Sequence, residues 1–203
     1  MRTSATFPRS AVFQGRIEVI TGCMFSGKSE ELIRRLRRAV IARKRVVAFK
    51  PSIDDRYSVT DIGSHTGQTF QSQAVKTIDD IRERSRGAQV VGIDEAQFFG
   101  EGLADLCEDL ANIGVRVIVA GLDMDSDCNP FGDIPRLMCL ADEVVKLHAV
   151  CVVCGVPATR SIHKTGKAGQ VEVGADQYEA RCRGCCLGSG GVDVDMRDGD
   201  KRT

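Results

Sequence analysis

The chain has 203 residues, enough for one medium domain or one domain with a small appendage, and its 42% hydrophobic content suits an ordinary core. Lys plus Arg and Asp plus Glu each total 28, and this zero formal charge argues against a basic nucleic-acid binder. No stretch approaches the roughly 20 apolar residues that span a bilayer.

Residues 1–15 (MRTSATFPRSAVFQG) have no sustained apolar core and read as a disordered N-terminal tail. Arg16 to Thr21 alternates with β-branched residues, as a strand does. Gly22-Cys23-Met24-Phe25-Ser26-Gly27-Lys28-Ser29 then fits the pattern G-x-x-x-x-G-K-[ST]. From Glu30 a helix is expected, with Leu32, Ile33, Leu36, Ala39 and Val40 along one face. A strand, a glycine-bearing turn and a helix N-terminus make a phosphate cradle, because loop N–H groups point inward and the helix dipole adds positive potential. Lys28 would reach the β- and γ-phosphates of a nucleotide, and the Ser29 hydroxyl would ligate Mg²⁺. The competing reading is a chance Gly-rich turn before a helix.

Arg45 to Lys50 predicts a second strand ended by Pro51, and the βαβ unit implies a parallel sheet. Residues 52–70 are polar and turn-rich, and they carry Asp54, Asp55, Arg56 and His65. They make either a functional loop or plain surface; His65 stays unassigned. Ile78 to Arg86 reads as a short polar helix. Gln89 to Asp94 is a nearly all-apolar run that ends in an acid. A buried strand there would deliver Asp94 beside the phosphate loop to hold Mg²⁺. Glu95 follows, and neighbouring residues on extended chain point to opposite sides, so the two acids could serve metal and substrate separately. A Glu at that place could accept a proton from an attacking hydroxyl. Gly102 to Asn112 has Leu103, Leu106, Cys107 and Leu110 at helical spacing. Val115 to Ala120 is a further strand, residues 124–135 a long turn, Pro135 to Ala141 a helix and Glu143 to His148 a last strand. Five strands, mostly followed by helices, predict an α/β three-layer domain over residues 16–149.

Of the nine cysteines, five lie between Cys151 and Cys186, which suits a metal site plus free thiols in a reducing cytosol better than disulfides. Cys151-Val152-Val153-Cys154 and Cys182-Arg183-Gly184-Cys185 are two C-x-x-C knuckles. Four thiolates suit tetrahedral, structural Zn²⁺. Cys185 is preferred to Cys186 as the fourth ligand because it keeps the two-residue gap. Between the knuckles, Ser161 to Lys164 and Gln170 to Val173 read as two short strands of a ribbon ending near Tyr178. Residues 150–186 thus form a zinc-binding domain, and 187–203 a disordered C-terminal tail.

These motifs together resemble the thymidine kinase family of the cytosolic, zinc-containing type, over roughly Arg16 to Cys186. Gly22 to Ser29 resembles its phosphate loop, and Asp94-Glu95-Ala96-Gln97-Phe98-Phe99 its D-E-[AG]-Q-F-F segment. Gly121-Leu122-Asp123 with Pro130-Phe131-Gly132 resembles its G-L-D…P-F-G stretch, Asp54 with Arg56-Tyr57 its D-x-R-Y region, and Val171 to Tyr178 its lasso loop. The resemblance implies an α/β fold, a P-loop (RecA-like) parallel sheet flanked by helices, with a small C-terminal zinc-ribbon and lasso domain. It implies transfer of the ATP γ-phosphoryl group to the 5′-hydroxyl of thymidine, and of deoxyuridine, in deoxynucleotide salvage. Glu95 would be the general base, with Lys28, Arg56 and Mg²⁺ stabilising the transferring group. Gly22 to Ser29 and Asp94 to Gln97 would bind ATP. Met24, Asp54, Phe98, Leu122, Phe131, Val171, Val173, Gly174 and Tyr178 would bind the nucleoside. A cytoplasmic homotetramer with feedback by thymidine triphosphate is implied too, with neither nucleic acid nor membrane as a partner. Ser126 stands where the family usually has an aromatic, and Cys128 is atypical in that loop. The alternative is a nucleic-acid-stimulated P-loop ATPase with a zinc ribbon, since D-E-A-Q resembles a helicase motif; no second helicase-like domain follows.

Overall fold

The computed structural model describes residues 15–52, 61–63, 67–164 and 177–188. In chain order its elements begin with β1 (Arg16–Gly22), α1 (Lys28–Ile41), β2 (Val46–Pro51) and the short strands β3 (Asp61–Gly63), β4 (Thr69–Gln71) and β5 (Gln73–Val75). Next come α2 (Ile78–Arg84), β6 (Val90–Ile93), a 3₁₀ turn (Ala96–Phe99), α3 (Leu103–Asn112), β7 (Arg116–Gly121), α4 (Ile134–Leu140) and β8 (Glu143–Leu147). The C-terminal part holds β9 (Ala149–Val150), β10 (Pro157–Ala158), β11 (Arg160–His163), β12 (Tyr178–Arg181) and α5 (Arg183–Gly188).

Six strands form one sheet in the order β5-β2-β6-β7-β1-β8, every neighbouring pair parallel. Its central strands are apolar on both faces, as a sheet covered on both sides requires. Ile17 and Val19 of β1 pack with α3 and α4 residues such as Leu106, Leu110 and Leu137. Ile20 points the other way, to Leu32, Ile33, Leu36 and Ala39 of α1 and to Ile62 of β3. Glu18 shares that second face, fully buried. It meets Arg35 of α1 at 2.7 Å, Arg116 of β7 at 2.6 Å and Arg16 at 2.6 Å. Burial alone would raise its carboxyl, but hydrogen bonds from Arg116 and Arg35 outweigh this and hold it at about 2.

Several expectations change. The sheet has six strands, not five: β5 pairs with β2 at the edge, and its three residues carry no alternation long enough to read. Pro51 is the last residue of β2 rather than the stop after it. Val40 belongs to α1 but is half exposed, outside the buried stripe. The ribbon strand that pairs with β11 is β12, in the register Arg160↔Arg181 to His163↔Tyr178. The return strand expected at Gln170 to Val173 lies outside the described residues, as do residues 1–14 of the expected N-terminal tail. The C-terminal tail was expected from residue 187, but α5 runs on to Gly188.

Candidate active site

The phosphate loop follows β1 at the end of the sheet where β6 and β7 also deliver their loops. Gly22 has φ +140, and a Cβ there would overlap the Leu147 carbonyl oxygen. Phe25 and Gly27 are also left-handed, at φ 64 and 86, so the backbone curls into a cradle before α1 starts at Lys28. The buried Lys28 Nζ donates to the Cys23 carbonyl oxygen at 2.9 Å. Burial lowers the Lys28 pKa, and the charges of Glu95 and Asp94 oppose that shift. Inside the same loop the Ser26 hydroxyl is enclosed, with no hydrogen-bond partner among the described residues. An enclosed, orphaned hydroxyl in a cradle of N–H groups fits a phosphate oxygen.

Strand β7 stands between β1 and β6, so Asp94 lies one strand away from the loop. The first turn of α1 closes this gap, with Ser29 Oγ donating to Asp94 Oδ1 at 3.2 Å. Burial pushes the Asp94 carboxyl up to about 7, the Glu95 charge adds to this, and the Ser29 hydrogen bond opposes it. One hydroxyl and one carboxylate side by side are hard oxygen donors of the kind Mg²⁺ takes, usually only one or two from the protein.

Glu95 does not continue β6 in extended form. At φ 48 and ψ 40 it is left-handed and opens the 3₁₀ turn, so alternation along a strand does not separate it from Asp94. The turn brings Gln97 back, and its Nε2 donates to Glu95 Oε2 at 2.6 Å while its Oε1 accepts from the Leu122 N–H at 3.0 Å. A carboxylate only accepts and a backbone N–H only donates, so this carboxamide has one workable orientation.

The loop after β7 forms the adjoining wall. Phe131 N–H donates to the Asp123 carbonyl at 3.1 Å, and Met124 bridges to Pro130. Phe98 and Phe131 meet edge to face at 5.6 Å. Phe98 and Phe131 therefore meet beside Glu95, whose carbonyl accepts from the Phe98 N–H at 3.2 Å, and the Leu122 backbone is tied to Gln97. The Tyr178 ring instead packs on His163 at 5.1 Å in the β11–β12 ribbon. Asp54, Arg56, Val171, Val173 and Gly174 lie outside the described residues. Two side chains in this region went unnoticed in the sequence. Thr21 Oγ1 donates to Asp123 Oδ1 at 3.2 Å, and Lys146 forms an ion pair with the other oxygen of Asp123. Their only signal was position, at the C-terminal ends of β1 and β8.

The four knuckle thiols of Cys151, Cys154, Cys182 and Cys185 lie within 4.8 Å of one another. Cys154 and Cys182 are 3.6 Å apart, close to the roughly 3.8 Å separation of sulfurs around a tetrahedral Zn²⁺ with 2.3 Å bonds. Hydrogen bonds from the Cys182 and Cys185 backbone N–H groups pull the Cys151 and Cys182 thiols, respectively, below the ordinary range. Cys186 stands outside the set, against Cys128. The module touches the phosphate loop directly. Cys23 shares an apolar cluster with Ala149, Cys151, Ala158 and Ala180, and its thiol donates to the Ala158 carbonyl at 3.3 Å. No helix among the described residues is long and apolar enough to cross a membrane.

Comparison with known proteins agrees with this geometry. The family model described as "Thymidine kinase" matches residues 15–186. A thymidine kinase of Rhodothermus sp. (strain ITI 518) is 55% identical over 172 residues, 84% of this chain and 81% of that protein. One of Bacteroides thetaiotaomicron is 53% identical over 182 residues, 89% of this chain and 91% of its own length. One of Deinococcus radiodurans is 47% identical over 204 residues, 91% and 95% of the two chains. With the family model covering most of its length and relatives this similar, the chain belongs to the thymidine kinase family.

Proposed function

We propose that the protein transfers the γ-phosphoryl group of ATP to the 5′-hydroxyl of thymidine, and of deoxyuridine, as a step of deoxynucleotide salvage. What carries the reading is one arrangement, in a chain of this family: Lys28, Ser29, Asp94 and Glu95 meet where the sheet's loops converge, beside the Phe98–Phe131 wall. Gly22 to Ser29 cradle the phosphates, with Asp94 to Gln97 facing the nucleotide from β6. Ser29 and Asp94 would hold Mg²⁺, which would neutralise charge on the phosphate oxygens. Glu95 takes the proton of the 5′-hydroxyl as its oxygen bonds to the γ-phosphorus. The bond to the β–γ bridging oxygen breaks, and ADP leaves. Lys28 and Arg56 stabilise the charge on the transferring group. Met24, Leu122, Phe98 and Phe131 pack the base, and Asp54, Val171, Val173, Gly174 and Tyr178 complete the nucleoside site. Excluding water from the assembled site would limit ATP hydrolysis. Cys151, Cys154, Cys182 and Cys185 would hold a structural Zn²⁺ at the base of the ribbon.

The test is a nucleoside panel with labelled ATP and Mg²⁺, scoring 5′-monophosphates. Labelled thymidine monophosphate, with little product from deoxycytidine or purine nucleosides, is the expected result. ATP hydrolysis stimulated by nucleic acid, with no nucleoside product, would sink the reading. The same reading has the protein working in the cytoplasm as a homotetramer inhibited by thymidine triphosphate. Light scattering and inhibition kinetics on the full chain check both.

A further inference from the structure

The peptide that joins Cys23 to Met24 is held at both of its polar ends. Its carbonyl oxygen accepts from Lys28 Nζ at 2.9 Å, and its N–H donates to Ser161 Oγ at 2.9 Å. A trans peptide is planar and points these two groups in opposite directions, and no cis bond occurs among the described residues. Fixing one end therefore fixes the other. Ser161 is suited to the task because it is itself immobile: it is 5% exposed, and it sits in β11 opposite Ala180 of β12. The anchor is also remote in sequence, 137 residues from the amide it holds. Most loop amides in a phosphate cradle point at the ligand. The Met24 amide is turned outward, and the carbonyl behind it is thereby turned inward, onto Lys28.

We propose that Ser161 is a positioning residue for ATP. Its hydroxyl orients the Cys23–Met24 peptide and so aims the Lys28 ammonium at the β- and γ-phosphates. Without that acceptor the amide must seek another partner, and rotation of the peptide would carry the carbonyl away from Lys28. The inference rests on the reading of Lys28 and its loop as the ATP site.

Ser161→Thr and Ser161→Val give side chains of the same shape that differ in the hydroxyl alone, and ATP affinity is measured by calorimetry with Mg²⁺ on the zinc-loaded full chain. Ser161→Thr is expected within about twofold of the parent, and Ser161→Val weaker by about five- to tenfold, the factor one hydrogen bond supplies. In a Lys28→Met background the same valine change should add nothing, because the hydroxyl acts through Lys28. Zinc content and the thermal midpoint check folding, and Ser161→Ala replaces Ser161→Val if the larger apolar side chain unfolds the ribbon. Equal affinities for the threonine and valine variants overturn the proposal. So does an undiminished loss in the Lys28→Met background, which would mark Ser161 as structural glue between the modules. Unchanged ATP affinity on Lys28→Met alone would instead overturn the assignment of the ATP site, and the proposal with it.

Discussion

At Glu95 the backbone and the side chain ask for different residues. Its φ of 48 is a conformation that costs an L-residue about 1–2 kcal/mol relative to glycine. The carboxylate held by Gln97 is what a proton acceptor beside the cradle needs. Glu95→Gly and Glu95→Ala both remove the carboxylate; glycine gains by tolerating that φ and gives back part of the gain through its more flexible unfolded chain. The glycine variant is expected to be the more stable by about 1 kcal/mol in denaturant unfolding, with neither transferring phosphoryl to thymidine. Asp94 carries the opposite tension between charge and burial. Its carboxyl titrates near 7 in the fold and at 3.8 when free, so in the metal-free protein its ionisation removes stability as pH rises between those values. Asp94→Asn should therefore be at least as stable as the parent at pH 7, yet lose at least about a hundredfold in turnover, as removal of a charge-stabilising group does. Glu18 runs the other way. Held at about 2 against 4.5, it contributes about 3 kcal/mol above pH 4.5 that is lost as pH falls toward 2. Glu18→Gln should flatten the acid limb of the stability curve and lower stability at pH 7 by a similar amount.

At the scale of elements, the loop after β7 depends on one glycine. Gly132 is left-handed at φ 54, and a Cβ there would overlap the Gln97 carbonyl oxygen, which is backbone and cannot swing aside. Gly132→Ala must push this loop off the 3₁₀ turn and part Phe131 from Phe98. The expected cost is about 1–3 kcal/mol, with KM for thymidine rising more than KM for ATP in steady-state kinetics. The phosphate loop, Asp94 and the knuckles were legible in the sequence because each is a local spacing. So were β1, β6, β7 and β8, whose runs of β-branched and apolar residues mark strands by composition and length. The elements that were misread depend on distant partners. Strand β5 exists by pairing with β2, and β12 (Tyr-Glu-Ala-Arg) carries two charges and takes its place from the register with β11. The left-handed state of Glu95 is a single-residue property that no pattern records. The Ser161–Met24 bond joins residues no local window contains.

For the molecule as a whole, the C-terminal module acts as a brace on the nucleotide end of the sheet. If Zn²⁺ holds the four thiols, which lie within 4.8 Å of one another, stripping it from the reduced protein leaves weak hydrogen bonds such as Cys154–Cys182 to hold them together. The expected outcome is faster hydrogen exchange in β9 to β12 and in residues 22–27, weaker ATP binding, and little change in the core strands β1, β6 and β7. Metal analysis of the reduced protein should return near-stoichiometric zinc; finding none would remove the brace from this account. Sheet order has a further consequence, in time rather than space. Strand β1 pairs with β7 on one side and β8 on the other. A ribosome delivers β1 first, but its neighbours are Arg116–Gly121 and Glu143–Leu147, and the Ser161 anchor emerges later still. Until then the earliest-made segment has no frame. The loop after β1 therefore cannot take its final shape until the chain through Ser161 has left the exit tunnel.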